Sequence, residues 1–257
     1  MITASKNSQV KNLTQLIKKA KARNEQRLFV VEGIKMFAEA PREWMEKVYL
    51  SESFEREESH RKLTEGISYE VLSDSVYQSI SDTQTPQGIL ALLRQPEYRL
   101  EDLLTPDCRL LILEDIQDPG NLGTMLRSAE AAGVDGVILS KNTADIFNPK
   151  VIRSTMGSIF RVKFVSVDDF TGTLDILKRY GVRLFAADLA GSALYHEADY
   201  RGKTGFLIGN EGNGLSPETL KRADTRIRIP MEGQVESLNA AIAATLLMYE
   251  AVRQRVL

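Results

Sequence analysis

The chain has 257 residues, enough to bury a sizeable core in one large or two small domains, and its 43% hydrophobic and 26% charged composition is ordinary for a soluble globular protein. A net charge of -2 at pH 7 argues against a generally basic nucleic-acid coat but leaves room for a local basic patch. The single cysteine, Cys108, excludes an intramolecular disulfide and any C-x-x-C metal knuckle; with only two histidines, a zinc site is not expected. The first residues lack the continuous apolar stretch of a signal peptide, and no run reaches the roughly 18 apolar residues of a membrane span, so the expected location is the cytoplasm.

Charge is spread unevenly. Residues 1–35 carry eight lysines and arginines against Glu25 and Glu32. Val10, Leu13, Leu16, Ile17 and Ala20 recur at helical spacing, which predicts an amphipathic helix with a basic outer face. A phosphate-binding face and a solvated helix surface both fit that pattern. A short strand at 28–33, a helix near 34–40 and a strand at 48–50 follow. Residues 52–62 are charged and read as helical, and 67–72 and 88–93 have strand length. The alternation predicts a small α/β domain. Pro96, Pro106 and several charges mark a linker, so the domains are placed at 1–95 and 108–257 with 96–107 between them.

The second half alternates more regularly. Strands are predicted at 109–114, 136–140, 164–167, 183–187, 206–208 and 226–229, with helices at 122–132, 149–156, 174–180 and 217–222. Cys108 precedes the first of these strands and is expected in the core. Ser237 is the expected N-cap of a last helix. The fold class is therefore α/β, with a mostly parallel C-terminal sheet covered by helices on both sides and a small N-terminal α/β domain.

Three segments put Gly, Asn or Pro directly after an apolar run, where α/β sheets end their strands and bind ligands. They are residues 118–128 (DPGNLGTMLRS), 207–214 (LIGNEGNG) and 229–241 (IPMEGQVESLNAA). The G-x-x-G-x-G spacing from Gly209 to Gly214 is neither the dinucleotide fingerprint nor a P-loop, and alone it fits a tight turn as well as a ligand loop. Asn121 stands at a helix entrance, where capping is one reading. Arg127 lies on a largely apolar stretch and needs a partner, either a carboxylate or a bound anion. Ser237 and Asn239 bracket the last helix start, where donors suit a polar ligand group. His60 and His196 lie far from these segments in the sequence, which gives no support to a Ser-His-Asp triad.

Taken in order, the three segments resemble the three motifs of the SpoU (TrmH-type) RNA ribose 2′-O-methyltransferases of the SPOUT class, over roughly residue 110 to the C terminus. Residues 148–158 (NPKVIRSTMGS) resemble a further stretch of that family, with Thr155 where Ser or Ala is common. Residues 5–11 and FVVEG at 29–33 resemble, less specifically, the small ribosomal-protein-like RNA-binding domain that many two-domain members carry.

The resemblance implies a deep trefoil knot, which general fold rules would not suggest. It implies S-adenosylmethionine as cofactor, held mainly by backbone groups at Gly209, Ile229 and Leu238 with Met231 nearby. It implies no metal and a homodimer. Arg127 then stabilises the developing alkoxide and clamps a phosphate, since a guanidinium does not give up its proton. Asn121 orients Arg127 or the ribose, Glu211 pairs with a basic group or forms a structural ion pair, and Ser237 and Asn239 hold the loops and the substrate. Lys6, Lys11, Lys18, Lys19, Arg23 and Arg153 are the RNA-binding candidates, on a substrate with unstacked bases. The expected substrate is 23S ribosomal RNA. Transfer RNA, a non-catalytic RNA-binding protein on the same scaffold, and a Rossmann-type nucleotide enzyme are the alternatives.

Overall fold

The computed structural model describes residues 1–256 and divides them into two compact units. One is Met1–Pro96 together with Asp145–Phe160; the other is Glu97–Ala144 together with the chain from Arg161 onward. Residues 145–160, which the sequence groups with the second half, thus pack with the first.

The first unit is built on a four-stranded sheet of β1 (Leu28–Glu32), β2 (Met45–Ser51), β3 (Tyr69–Leu72) and β4 (Ile89–Arg94), in the order β1-β4-β2-β3. β4 is antiparallel to both its neighbours, and β3 is parallel to β2. The unbroken apolar run of β4 is explained by its central place: Ile89 to Leu93 are all buried. The helix Ser8–Lys18, capped by the Asn7 carboxamide, sends Val10, Leu13, Leu16 and Ile17 into a cluster with Tyr49, Leu72, Tyr77 and Leu90. Burying each such aliphatic side chain contributes about 1.5–3 kcal/mol.

The predicted periodicity stops at Ile17. Lys19 is extended (φ -126°, ψ 116°), and a separate helix Ala20–Gln26 begins in a new direction. That break exposes Ala20 and turns Ala22 and Arg23 inward. Residues 52–62, expected as one helix, are instead the helix Glu52–Arg56 and the short turns Glu58–His60 and Arg61–Thr64. The helix Asp74–Ile80, capped by Ser73, was not expected. Within this unit the Phe147 ring packs on Phe29 at 4.8 Å between centroids, and Phe160 meets Trp44 edge-on at 6.0 Å.

The second unit is a seven-stranded sheet in which every registered pair is parallel. Its strands are β5 (Arg109–Leu113), β6 (Gly136–Ser140), β7 (Phe164–Val167), β8 (Arg183–Ala187), β9 (Ala193–Leu194), β10 (Thr204–Ile208) and β11 (Thr225–Arg228). Their order is β7-β6-β5-β10-β8-β11-β9. β6 and β10 are buried along their whole length, as a sheet covered on both faces requires. Cys108 is fully buried, and burial pushes its thiol pKa up. The chain builds outward from β5 to β7, then resumes on the other side with β8. The strand order therefore reverses between β5 and β10, and open α/β sheets bind ligands beyond the strand ends at such a point.

Candidate active site

The three glycine- and asparagine-rich segments all leave C-terminal strand ends of this parallel sheet. The loop after β10 is a closed hairpin, with Asn210 N donating to Gly214 O (3.1 Å) and Gly214 N to Asn210 O (2.9 Å). Gly209 is sterically required: a Cβ there would sit 2.2 Å from the Gly214 carbonyl carbon and 2.3 Å from Leu215 N. The loop after β5 runs into the helix Pro119–Ala131, with Pro at its first position and the Asp118 carboxylate accepting from Asn121 N (2.7 Å). Asp118, not Asn121, is thus the cap.

Ser237 does not cap the last helix, Ala240–Val256. The Asn239 carboxamide does, accepting from Ala241 N (2.9 Å) and Ile242 N (3.4 Å), the second and third residues of the helix, where a cap bonds. The helix start lies two residues later than the sequence suggested.

One hydrogen-bonded chain joins the three segments. Glu211 Oε2 accepts from Gln117 N (3.0 Å), and its Oε1 accepts from Asp118 N (3.1 Å) and Asn121 Nδ2 (3.0 Å). Asn121 Oδ1 in turn accepts from Asn239 Nδ2 (2.9 Å). Glu211 therefore has no basic partner among the described residues. It sits at the N-terminal end of the helix Pro119–Ala131, where free N–H groups and the helix dipole attract a carboxylate. Burial alone would raise its pKa; the bonds from Asn121 and from the Gln117 and Asp118 amides outweigh that and hold it below the ordinary glutamate range. Asn121 bridges Glu211 and Asn239 and does not orient Arg127.

Arg127 lies two turns into the same helix, exposed, with no hydrogen bond and no carboxylate partner among the described residues. A salt bridge does not account for it. Its neighbour Ser128 is tied to the last helix by Thr245 (2.8 Å between hydroxyl oxygens).

A cavity of about 560 Å³ opens beside this chain. Gly209, Glu211, Ile229, Met231, Ser237 and Leu238 all line it, with Leu215, Leu220 and Leu247 in its walls. Apolar side chains and turning backbone suit a ligand with a flat aromatic ring and a few polar edges. The close approach at Gly209 leaves the backbone, not a side chain, facing that space. No cluster of His, Cys, Asp or Glu that could hold a metal occurs among the described residues, and no helix among them is long and apolar enough to cross a membrane.

In the first unit, Lys6, Lys11, Lys18 and Lys19 are exposed, with no ion-pair partner among the described residues. Arg153 is half-exposed and pairs with Asp82 at 2.9 Å. Arg23 must be corrected. It is 2% exposed, and its guanidinium is used up by Leu16 O (2.6 Å), Ile17 O (3.0 Å) and Asp145 Oδ2 (2.8 Å from Nε), so it offers nothing to RNA. The helix break at Lys19 is the cause. Asp115, Ser140 and Asn210 are not among the site residues expected from the sequence. The one available signal was an Asp at a strand end, a residue type that tolerates left-handed backbone.

The model of the SpoU rRNA methylase family matches residues 109–249, and that of an MRM3-like substrate binding domain matches residues 7–91. The 23S rRNA (guanosine(2553)-2'-O)-methyltransferase RlmP of Bacillus subtilis is 35% identical over 250 residues, which are 96% of this chain and 97% of that protein. The crystal structure of the SpoU methyltransferase AviRb from Streptomyces viridochromogenes in complex with AdoMet is similar with a TM-score of 0.90 and 28% identity, over 98% of this chain and 99% of that one. An AdoMet-bound rRNA methyltransferase from Sinorhizobium meliloti gives a TM-score of 0.84 and 30% identity, over 100% of this chain and 98% of that one. The chain belongs to the SpoU rRNA methylase family.

Proposed function

We propose that this protein methylates a ribose 2′-hydroxyl in 23S ribosomal RNA, using S-adenosylmethionine bound in the cavity beside Gly209. The observation that carries the reading is the Glu211–Asn121–Asn239 chain, which ties the entrance of the helix carrying Arg127 to Glu211 in the cavity wall, while the guanidinium has no partner among the described residues. Gly209, Ile229 and Leu238 hold the cofactor through their backbone, with Met231 against it. Bound there, S-adenosylmethionine would supply the methyl group to the ribose oxygen and leave as S-adenosylhomocysteine.

Arg127 keeps its proton and faces the charge that grows on the ribose oxygen, while clamping the neighbouring phosphate. The hydroxyl proton leaves to solvent. Ser237, exposed at the cavity rim, contacts the substrate. Lys6, Lys11, Lys18 and Lys19 track the RNA backbone, with Arg153 as a further contact. The protein works in the cytoplasm, on the knotted fold of its family.

A homodimer fits the last helix. Its Ala241, Ala244, Leu247, Met248 and Ala251 are buried, but Ile242, Leu246 and Tyr249 form an outward stripe with 53%, 36% and 46% of their surface exposed.

The test is transfer from labelled S-adenosylmethionine to total RNA that lacks the modification, followed by nucleoside analysis. A 2′-O-methylated nucleoside in 23S RNA is expected. Label confined to transfer RNA would keep the chemistry and move the substrate. Bound cofactor with no label in any RNA would shift the reading to an unusual substrate or an enzyme of assembled particles, and no cofactor binding at all would favour a non-catalytic scaffold.

A further inference from the structure

We infer that Asn210 is a positioning residue for methyl transfer, acting through Asp115 and Ser140 to hold the cavity wall in register with the helix that carries Arg127. This rests on the methyltransferase reading above.

β5 and β10 are adjacent and parallel, so their chains leave the sheet side by side; Glu114 N still donates to Ile208 O at 2.9 Å. One residue later, Asp115 takes a left-handed conformation (φ 55°). A residue other than glycine takes this conformation uncommonly, and here the surroundings hold it. Ser140, at the end of β6, does so. Its hydroxyl accepts from Asp115 N (2.8 Å) and donates to Asp115 Oδ1 (2.6 Å), closing a small ring around the turn.

The left-handed turn presents Asp115 O to the loop after β10. There it accepts from Asn210 Nδ2 (2.8 Å) and from Gln117 Nε2 (3.3 Å). The other end of the Asn210 carboxamide accepts from Gly212 N (2.9 Å) and Asn213 N (3.0 Å). One side chain therefore shapes the hairpin that lines the cavity and also fastens it to residues 115–118. Those residues then present the Gln117 and Asp118 amides to Glu211. A carboxamide can do both, because it carries a donor and an acceptor at fixed geometry. The energetic stake lies in alignment: a misplacement of about 1 Å between reacting groups costs about 10²-fold in rate.

The two halves of the carboxamide can be separated. Asn210→Asp keeps the acceptor that shapes the hairpin and loses the donor to Asp115; Asn210→Ala loses both. Ser140→Ala loosens the turn from outside, at a residue that does not line the cavity. Turnover at saturating cofactor and RNA, the cofactor dissociation constant by calorimetry, and thermal unfolding are measured for each.

We expect Asn210→Asp and Ser140→Ala each to lower kcat about tenfold or more. Ser140→Ala should leave the cofactor dissociation constant within about twofold and remain folded. Wild-type kcat in Asn210→Asp would reduce Asn210 to a loop-shaping residue and overturn the inference. So would a Ser140→Ala loss that lies wholly in cofactor affinity or in melting. Wild-type protein that binds cofactor and transfers no methyl group would instead overturn the methyltransferase reading itself.

Discussion

Two arginines on helices, one in each unit, meet opposite fates. Arg23 is buried, and its guanidinium is surrounded by two carbonyls and a carboxylate. Arg127 is exposed and has no acceptor among the described residues. Around Arg23 the chain supplies a carboxylate and two carbonyls to the charge, which makes a clamp. Around Arg127 the neighbouring polar groups are bonded to one another, and the guanidinium is left over for a ligand. The difference shows that an arginine's use is decided by what its neighbours already bond, not by how basic its segment is.

The comparison can be broken most forcefully at the clamp. Arg23→Ala leaves Asp145 and two buried carbonyls without their donor, and we expect a loss of about 3–5 kcal/mol in unfolding free energy, measured by urea denaturation. Methyl transfer per folded molecule should change far less. A variant as stable as the wild type would mean that water replaces the guanidinium and that no clamp exists.

At the other arginine the pattern should invert. Arg127→Ala should lower turnover by about 10²–10³-fold, the usual loss on deleting one charge-stabilising donor, while melting temperature and cofactor affinity stay unchanged. Lys at this position restores charge without the planar fork and should recover only part of the rate. Near-wild-type turnover in the alanine variant would remove Arg127 from the chemistry.

The smallest effect concerns pH. The pKa of Glu211 is lower folded than unfolded, so its contribution to stability is fully present above the ordinary glutamate range of about 4.3 and is lost as pH falls through the folded value. Comparing wild type and Glu211→Gln by thermal unfolding from pH 7 to pH 3 should show a stability gap that closes on the acid side. A gap independent of pH would mean that the carboxylate charge plays no part in holding the Gln117 and Asp118 amides.

Much of this was legible in the sequence, and what was missed has definite causes. Continuous apolar runs located β5, β6, β8 and β10, because strands buried on both faces need no alternation. Glycine, asparagine and proline after those runs marked the loops that converge. Side-chain partners were not legible. Ser237 looked like a cap because serine caps helices, but Asn239 sits where its carboxamide reaches the second and third N–H groups. Glu211 was expected to meet a cation because sequence shows side chains and hides the amides of Gln117 and Asp118. Arg23 was assigned to a basic face by extending a periodicity past Lys19, whose extended backbone ends it. Asp115 offered only its residue type as a hint of its left-handed turn, and its partner Ser140 stands 25 residues away.

The chain's path between its units carries a consequence for synthesis. Residues 145–160 complete the first unit only after the 48 residues from Glu97 to Ala144 have been made. At about 5–20 residues per second, the ribosome holds an unfinished N-terminal unit for several seconds, with Arg23 lacking its carboxylate and Phe29 its ring partner. A fragment ending at Pro96 would stay permanently in that condition. Proteolytic dissection at the obvious proline-bearing boundary should therefore yield an N-terminal piece that needs residues 145–160 supplied in trans before it folds fully.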